Sequence, residues 1–80
     1  MKVELLGRAG CGLCDEAADF LRGLNISFTL VDVDAFPRLA ATYGDSIPVV
    51  MVDDREFARA PIQPASLRAA FARLAGAEAK

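Results

Sequence analysis

The chain has no histidine among its 80 residues. That single absence removes the Ser–His and Cys–His nucleophile pairs, imidazole metal ligands and a histidine general base. An excess of positive charge is also missing: 9 Lys and Arg stand against 11 Asp and Glu, a formal net charge of −2. A protein that neutralises a phosphate backbone is ordinarily basic, so nucleic acid is not an expected partner. No apolar run approaches the roughly 20 residues that cross a bilayer. The start, Met1-Lys2-Val3-Glu4-Leu5-Leu6-Gly7-Arg8, is broken by charge too early for a secretory signal. A cytoplasmic chain with no membrane partner is therefore expected. Cysteine is scarce, with only 2 residues, and in a reducing compartment such a pair is not expected to be a structural staple. Of the composition, 54% is hydrophobic and 25% charged, which is globular and leaves room for one domain spanning residues 1–80 and acting as a monomer.

The order of patterns along the chain predicts β-α-β-α-β-β-α. Val3 to Leu6 is a short apolar strand that ends at Gly7 and the turn-rich Arg8-Ala9-Gly10. From Gly12 to Gly23, Leu13, Ala17, Phe20 and Leu21 fall at helical spacing, and Asp15 and Glu16 suit a helix start. Ile26 to Val33 is apolar on both alternating sets and reads as a strand covered on both faces. Pro37 opens a second helix, with Asp34 as its expected cap and Gly44 as its close. Ile47 to Val52 is a third strand. Asp53-Asp54 makes a tight turn into a fourth strand, Arg55 to Ala60. A last helix carries Leu67, Ala70, Phe71 and Leu74 on one face, with Arg68 and Arg73 outward and an Ala-rich end, Ala75 to Lys80, expected to fray. A strand, a crossover and a second strand make a parallel pair, and the closing hairpin adds an antiparallel edge. The expected fold is α/β, a four-stranded mixed sheet flanked by three helices.

Cys11-Gly12-Leu13-Cys14 falls between a strand end and a helix start. Open backbone N–H groups and the positive end of the helix dipole favour a thiolate at Cys11. Cys14, one turn further in, is expected to be more buried. Cys11 would then attack a disulfide and Cys14 would release the mixed disulfide by closing the intramolecular bond. A more acidic thiol is also a weaker nucleophile, with a Brønsted slope of about 0.45, so lowering a thiol from about 8.5 to about 6.5 would speed attack only about threefold. The larger benefit is a better leaving group. Asp15 and Glu16 oppose the thiolate, and Arg8, three residues before Cys11, favours it. Pro48 opens a sheet strand although it lacks the N–H its neighbours use. A cis Ile47-Pro48 bond would account for it, turning the Ile47 backbone outward to pair with an extended substrate.

These residues carry a family resemblance. Asp32 to Pro48, with its acidic strand end, Pro-initiated helix, Tyr43-Gly44 and Ile47-Pro48, resembles the middle of a thioredoxin. The length, the start directly on the cysteine-bearing strand, and Arg8 three positions before Cys11 resemble a glutaredoxin. Cys11-Gly12-Leu13-Cys14-Asp15-Glu16-Ala17 is similar to small bacterial glutaredoxin-like domains, and the likeness spans Val3 to Leu74. It implies a thioredoxin fold and a dithiol–disulfide oxidoreductase serving thiol redox homeostasis. Cys11 and Cys14 would be catalytic, and Arg8, Gly12, Leu13, Ile47 and Pro48 would form the substrate site. The implied partners are a disulfide-bearing protein or small molecule, with electrons from glutathione or a thioredoxin-reductase-type donor. The chain departs from the family where glutaredoxins hold the glutamyl end of glutathione with Gly-Gly and a following Asp. Arg59-Ala60-Pro61-Ile62 stands there instead, so the glutathione motif is incomplete and no bound cofactor is expected.

Plainer readings exist beside these. Two cysteines can be small buried hydrophobes, Arg8 a solvated surface residue, and Tyr43 and Phe57 packing residues rather than substrate platforms. Asp32, Asp34, Asp53 and Asp54 sit at strand ends and turns, where solvation suffices, and no metal role is expected of them. Two other function classes remain open. A soft-metal or iron–sulfur protein would need a dimer or glutathione as a further ligand, because two thiolates cannot complete a four-ligand site. A non-catalytic binding module could keep the same scaffold without turnover.

Overall fold

The computed structural model describes residues 1–78. Its elements are β1 (Val3–Gly7), α1 (Gly12–Gly23), β2 (Thr29–Asp32), α2 (Pro37–Tyr43), β3 (Val49–Val52), β4 (Arg55–Arg59) and α3 (Pro64–Glu78), with a single 3-10 turn at Val33–Ala35 before α2. The sheet order is β2-β1-β3-β4. β1 runs parallel to β2 and antiparallel to β3, and β3 is antiparallel to β4. This is the expected four-stranded mixed sheet with three helices.

The central strands β1 and β3 are buried on both faces, and their alternation sorts side chains into two clusters. Val3, Leu5, Val50 and Val52 meet Ala17, Ala18 and Leu21 of α1 and Leu67 and Phe71 of α3. Leu6, Val49 and Met51 face the other way, onto Val33 and the partly buried Leu39 and Tyr43 of α2. Leu5 and Leu21 are fully buried, each stabilising the fold by about 1.5–3 kcal/mol relative to exposure. Phe57 packs on Phe71 with ring centroids 4.8 Å apart, and so belongs to the core.

The strand expected to be covered on both faces is instead the sheet edge. β2 pairs only with β1 and keeps four residues, and Leu30 is 63% exposed. Its apolar run still serves packing, because Ile26 and Phe28 reach the larger cluster and Val31 the smaller. The expected cap of α2 is also corrected. Phe36 occupies that position without a side-chain bond, while Asp32 accepts from the Asp34 N–H and Pro37 supplies the fixed first-turn φ.

α1 ends at Gly23 and is closed by Asn25. Asn25 has φ 58°, the Asn25 N–H donates to Arg22 O, and the Ile26 N–H donates to Leu21 O at 3.0 Å. That is a Schellman closure with asparagine in the left-handed position. Asp53 and Asp54 have φ 50° and 68°, the geometry of a two-residue hairpin turn, and Val52 pairs with Arg55 across it. α3 continues past Ala75 to Glu78; the remainder of the end expected to fray, residues 79–80, lies outside the described residues.

Candidate active site

One end of the two central strands, β1 and β3, assembles the site. The register pairs Gly7 with Asp32 and Leu6 with Val49, so Pro48, one residue before β3, comes level with Gly7. The chain leaves β1 at Gly7, turns through Arg8-Ala9-Gly10, where Gly10 has φ 76°, and enters α1 at Cys11. Only glycine takes that φ without steric cost.

Cys11 is the N-cap of α1, and its Sγ accepts from the Cys14 N–H at 3.2 Å. The sulfur thus fills the place of a capping oxygen over the open amides of the first turn. Cys14 is buried, 4% exposed, and its sulfur is joined to that of Cys11 in a disulfide with Cα atoms 5.2 Å apart. Cys11 remains partly exposed. Gly12 and Leu13, the residues between them, face solvent on the first turn, with Leu13 59% exposed.

Ile47 and Pro48 approach from the other side of β1. The Ile47–Pro48 peptide is cis, as is Ala60–Pro61. Pro48 is fully buried and its carbonyl accepts from the Ala60 N–H at 2.9 Å. The Ile47 side chain packs into the smaller core cluster, and neither its N–H nor its C=O has a backbone partner among the described residues. Arg8 points elsewhere than the sequence suggests. Its Nη2 donates to Asp34 Oδ1 at 3.0 Å, so a carboxylate rather than a sulfur is its partner in this disulfide form.

Sequence reasoning missed three contributors. Gly7 abuts the buried cysteine: a Cβ placed there would stand 3.1 Å from both Cβ and Sγ of Cys14. The signal available was a glycine closing an apolar strand just before the cysteine loop. Asp34 binds Arg8 from 26 residues away, and no spacing rule announces that. Arg59 grips Glu56 and donates through Nη1 to Ser46 Oγ at 3.3 Å, tying the end of β4 to the loop before Pro48. Glu56 is held below the usual carboxylate range by the Arg59 hydrogen bond, and Arg59 is raised in turn by Glu56.

Beside the disulfide, a cleft of about 500 Å³ opens between α1 and β2, bordered by Gly7, Cys14, Asp15, Arg22, Leu30 and Asp32 among others. Among the described residues no group of three or more His, Cys, Asp or Glu side chains could hold a metal ion, and no helix is long and apolar enough to cross a membrane.

A strand-borne loop that delivers a Cys-x-x-Cys pair to a helix start, with a proline loop level with it, defines a thioredoxin-fold protein. The family model of the Glutaredoxin-like domain (DUF836) matches residues 2–72, and the chain belongs to that family. It is 37% identical over 81 residues to the uncharacterized protein Rv0508 of Mycobacterium tuberculosis, covering 90% of this chain and 84% of the relative. The X-ray structure of the protein XcR50 from X. campestris superposes with a TM-score of 0.79 at 30% identity, covering 89% of this chain and 96% of that one. Thioredoxin 1 from Thermosipho africanus shares the fold at a TM-score of 0.68, with 18% identity and full coverage of both chains.

Proposed function

We propose that this protein is a cytoplasmic dithiol–disulfide oxidoreductase serving thiol redox homeostasis. The observation that carries the reading is the position of Cys11: partly exposed, capping α1, and accepting an amide N–H from the residue whose sulfur it pairs with. As a thiolate, Cys11 attacks one sulfur of a substrate disulfide and expels the other as a thiolate, leaving a mixed disulfide. Cys14 then attacks Cys11 Sγ, the internal disulfide closes, and the second substrate thiol departs. The substrate is oxidant and the two cysteines supply both electrons.

The open backbone of Ile47, next to the proline that comes level with Gly7, would give an extended substrate a donor and an acceptor in the manner of one added strand. Gly12 and Leu13 would form the opposite lip, and Arg8 is available to an anionic substrate group at the expense of its exposed pair with Asp34. Glutathione or a thioredoxin-reductase-type enzyme would restore the dithiol, and no resident cofactor is required.

Reduction of insulin disulfides by wild-type protein, Cys11→Ser and Cys14→Ser tests the assignment. Turnover should vanish in Cys11→Ser. Cys14→Ser should instead accumulate a mixed disulfide, visible by mass. Equal activity in wild type and Cys11→Ser would end this reading.

A further inference from the structure

The sheet has two edges, and they are built differently. β4 carries Arg55, Glu56 and Arg59, and its register against β3 slips between Val50 and Met51, leaving Phe57 as an extra residue. Charges and a bulge are means by which an exposed strand is kept from pairing with another chain. β2 has neither over Thr29-Leu30-Val31. Its register with β1 is unbroken, and its one charge is Asp32 at the far end. Leu30 is 63% exposed, and the outer backbone of β2 has no strand partner. Such an edge is a template for one more strand.

The side chains along β2 specify that strand. Leu30 pairs with Leu5 and Asp32 with Gly7, so both lie on the α1 side of the sheet, where Phe28 also packs. Asp32 marks one end of this row. At the other end the Arg22 guanidinium, from the last turn of α1, lies 5.5 Å from the centre of the Phe28 ring. Asp32 Oδ1 accepts from the Asp34 N–H, and its Oδ2 has no partner among the described residues. Arg8, at the same end, is taken up by Asp34. The row is therefore acidic where β2 ends and basic where it begins, which makes it complementary to its own reverse.

Turned about a two-fold axis through Leu30, β2 meets a second β2 antiparallel. Leu30 then opposes Leu30, Thr29 opposes Val31, and Asp32 opposes Phe28. Directly opposed Cβ atoms stand about 4.5–5.5 Å apart, so each Asp32 comes within reach of the guanidinium over the other copy's Phe28. Arg22 already holds Asp19 at 3.2 Å in an exposed pair, and its five donors can serve both carboxylates.

We propose that β2 is the interface through which two copies of this chain join their four-stranded sheets into one. A dimer replaces the monomer expected from the sequence. The same residues lie on both sides of the contact, and one short strand makes it small, so the association is weak. The two-fold also sets the two β1 strands antiparallel, which puts the Cys11 caps at opposite ends of the joined sheet.

Sedimentation of the full chain from about 10 µM to about 1 mM should show a reversible monomer–dimer equilibrium. Hydrogen exchange over Thr29–Asp32 should slow as concentration rises, while exchange over Arg55–Arg59 stays constant. Arg22→Asp and Asp32→Arg each set like charges against one another across the two-fold, so either variant alone should associate about tenfold more weakly. An equimolar mixture of the two variants places opposite charges at both contacts of a mixed dimer, and should recover the wild-type association. Leu30→Glu should abolish association. A wild-type chain that stays monomeric throughout, protection that rises over β4 instead, or a mixture no better than the single variants overturns the proposal. The exchange measurement needs no variant, and decides by itself if a substituted chain fails to fold.

Discussion

A methyl group on Gly7 would lie 3.1 Å from both the Cβ and the Sγ of Cys14. The strand end and the buried cysteine are thus fitted to each other, and Gly7→Ala should destabilise the protein. Overpacking of this kind costs about 1–3 kcal/mol, against a gain of about 0.5–1 kcal/mol for replacing glycine in a strand. Denaturant titration should show a lower midpoint with an unchanged slope. A midpoint equal to wild type would mean that the strand yields freely at this point.

Leu5 lies at the centre of the larger cluster and is fully buried. Leu5→Ala should lose about 2–5 kcal/mol, measured by the same titration. The equivalent truncation at exposed Leu30 should change stability by less than about 1 kcal/mol.

At the hairpin, Asp54 holds φ 68° and pairs with Lys2 on the surface. Asp54→Val should destabilise by about 1–2 kcal/mol, because a β-branched residue resists the left-handed region. Asp54→Gly should match or exceed wild type, since the exposed pair contributes little. Thermal melts of the two variants check both signs.

Glu56 is depressed because Arg59 binds its charged form. Stability from a depressed carboxyl is present above its unfolded pKa and lost as pH falls through the folded one. The tie between β4 and the Ser46 loop should therefore loosen only at acid pH. In Arg59→Gln the Glu56 side-chain resonance should titrate at higher pH, nearer the ordinary carboxylate range. An unmoved midpoint would show that the guanidinium is not the cause.

Much of this was readable in advance because it is local. The helix over Gly12–Gly23, its start at the cysteines and the Asp53-Asp54 turn each follow from residues within one or two turns of each other. The position of β2 was not readable: Leu30 and Val31 are equally apolar, and only pairing partners decide which strand becomes an edge. The partner of Arg8 eluded sequence reasoning for a related reason. Three residues separate it from Cys11, yet the fold carries Asp34 to its guanidinium.

The sheet is roofed unevenly. One face lies beneath α1 and α3 over nine buried residues, while the other has four and a helix of only seven residues, with none of its side chains fully enclosed. Transient opening should thus start on the α2 side, where hydrogen exchange is fastest to report it. Ile47 hangs from that looser side, whereas the cysteines are anchored to the firmer one. Under the proposed oxidoreductase reading, the cysteines would be held fixed while the rim at Ile47 would yield to substrates of different contour.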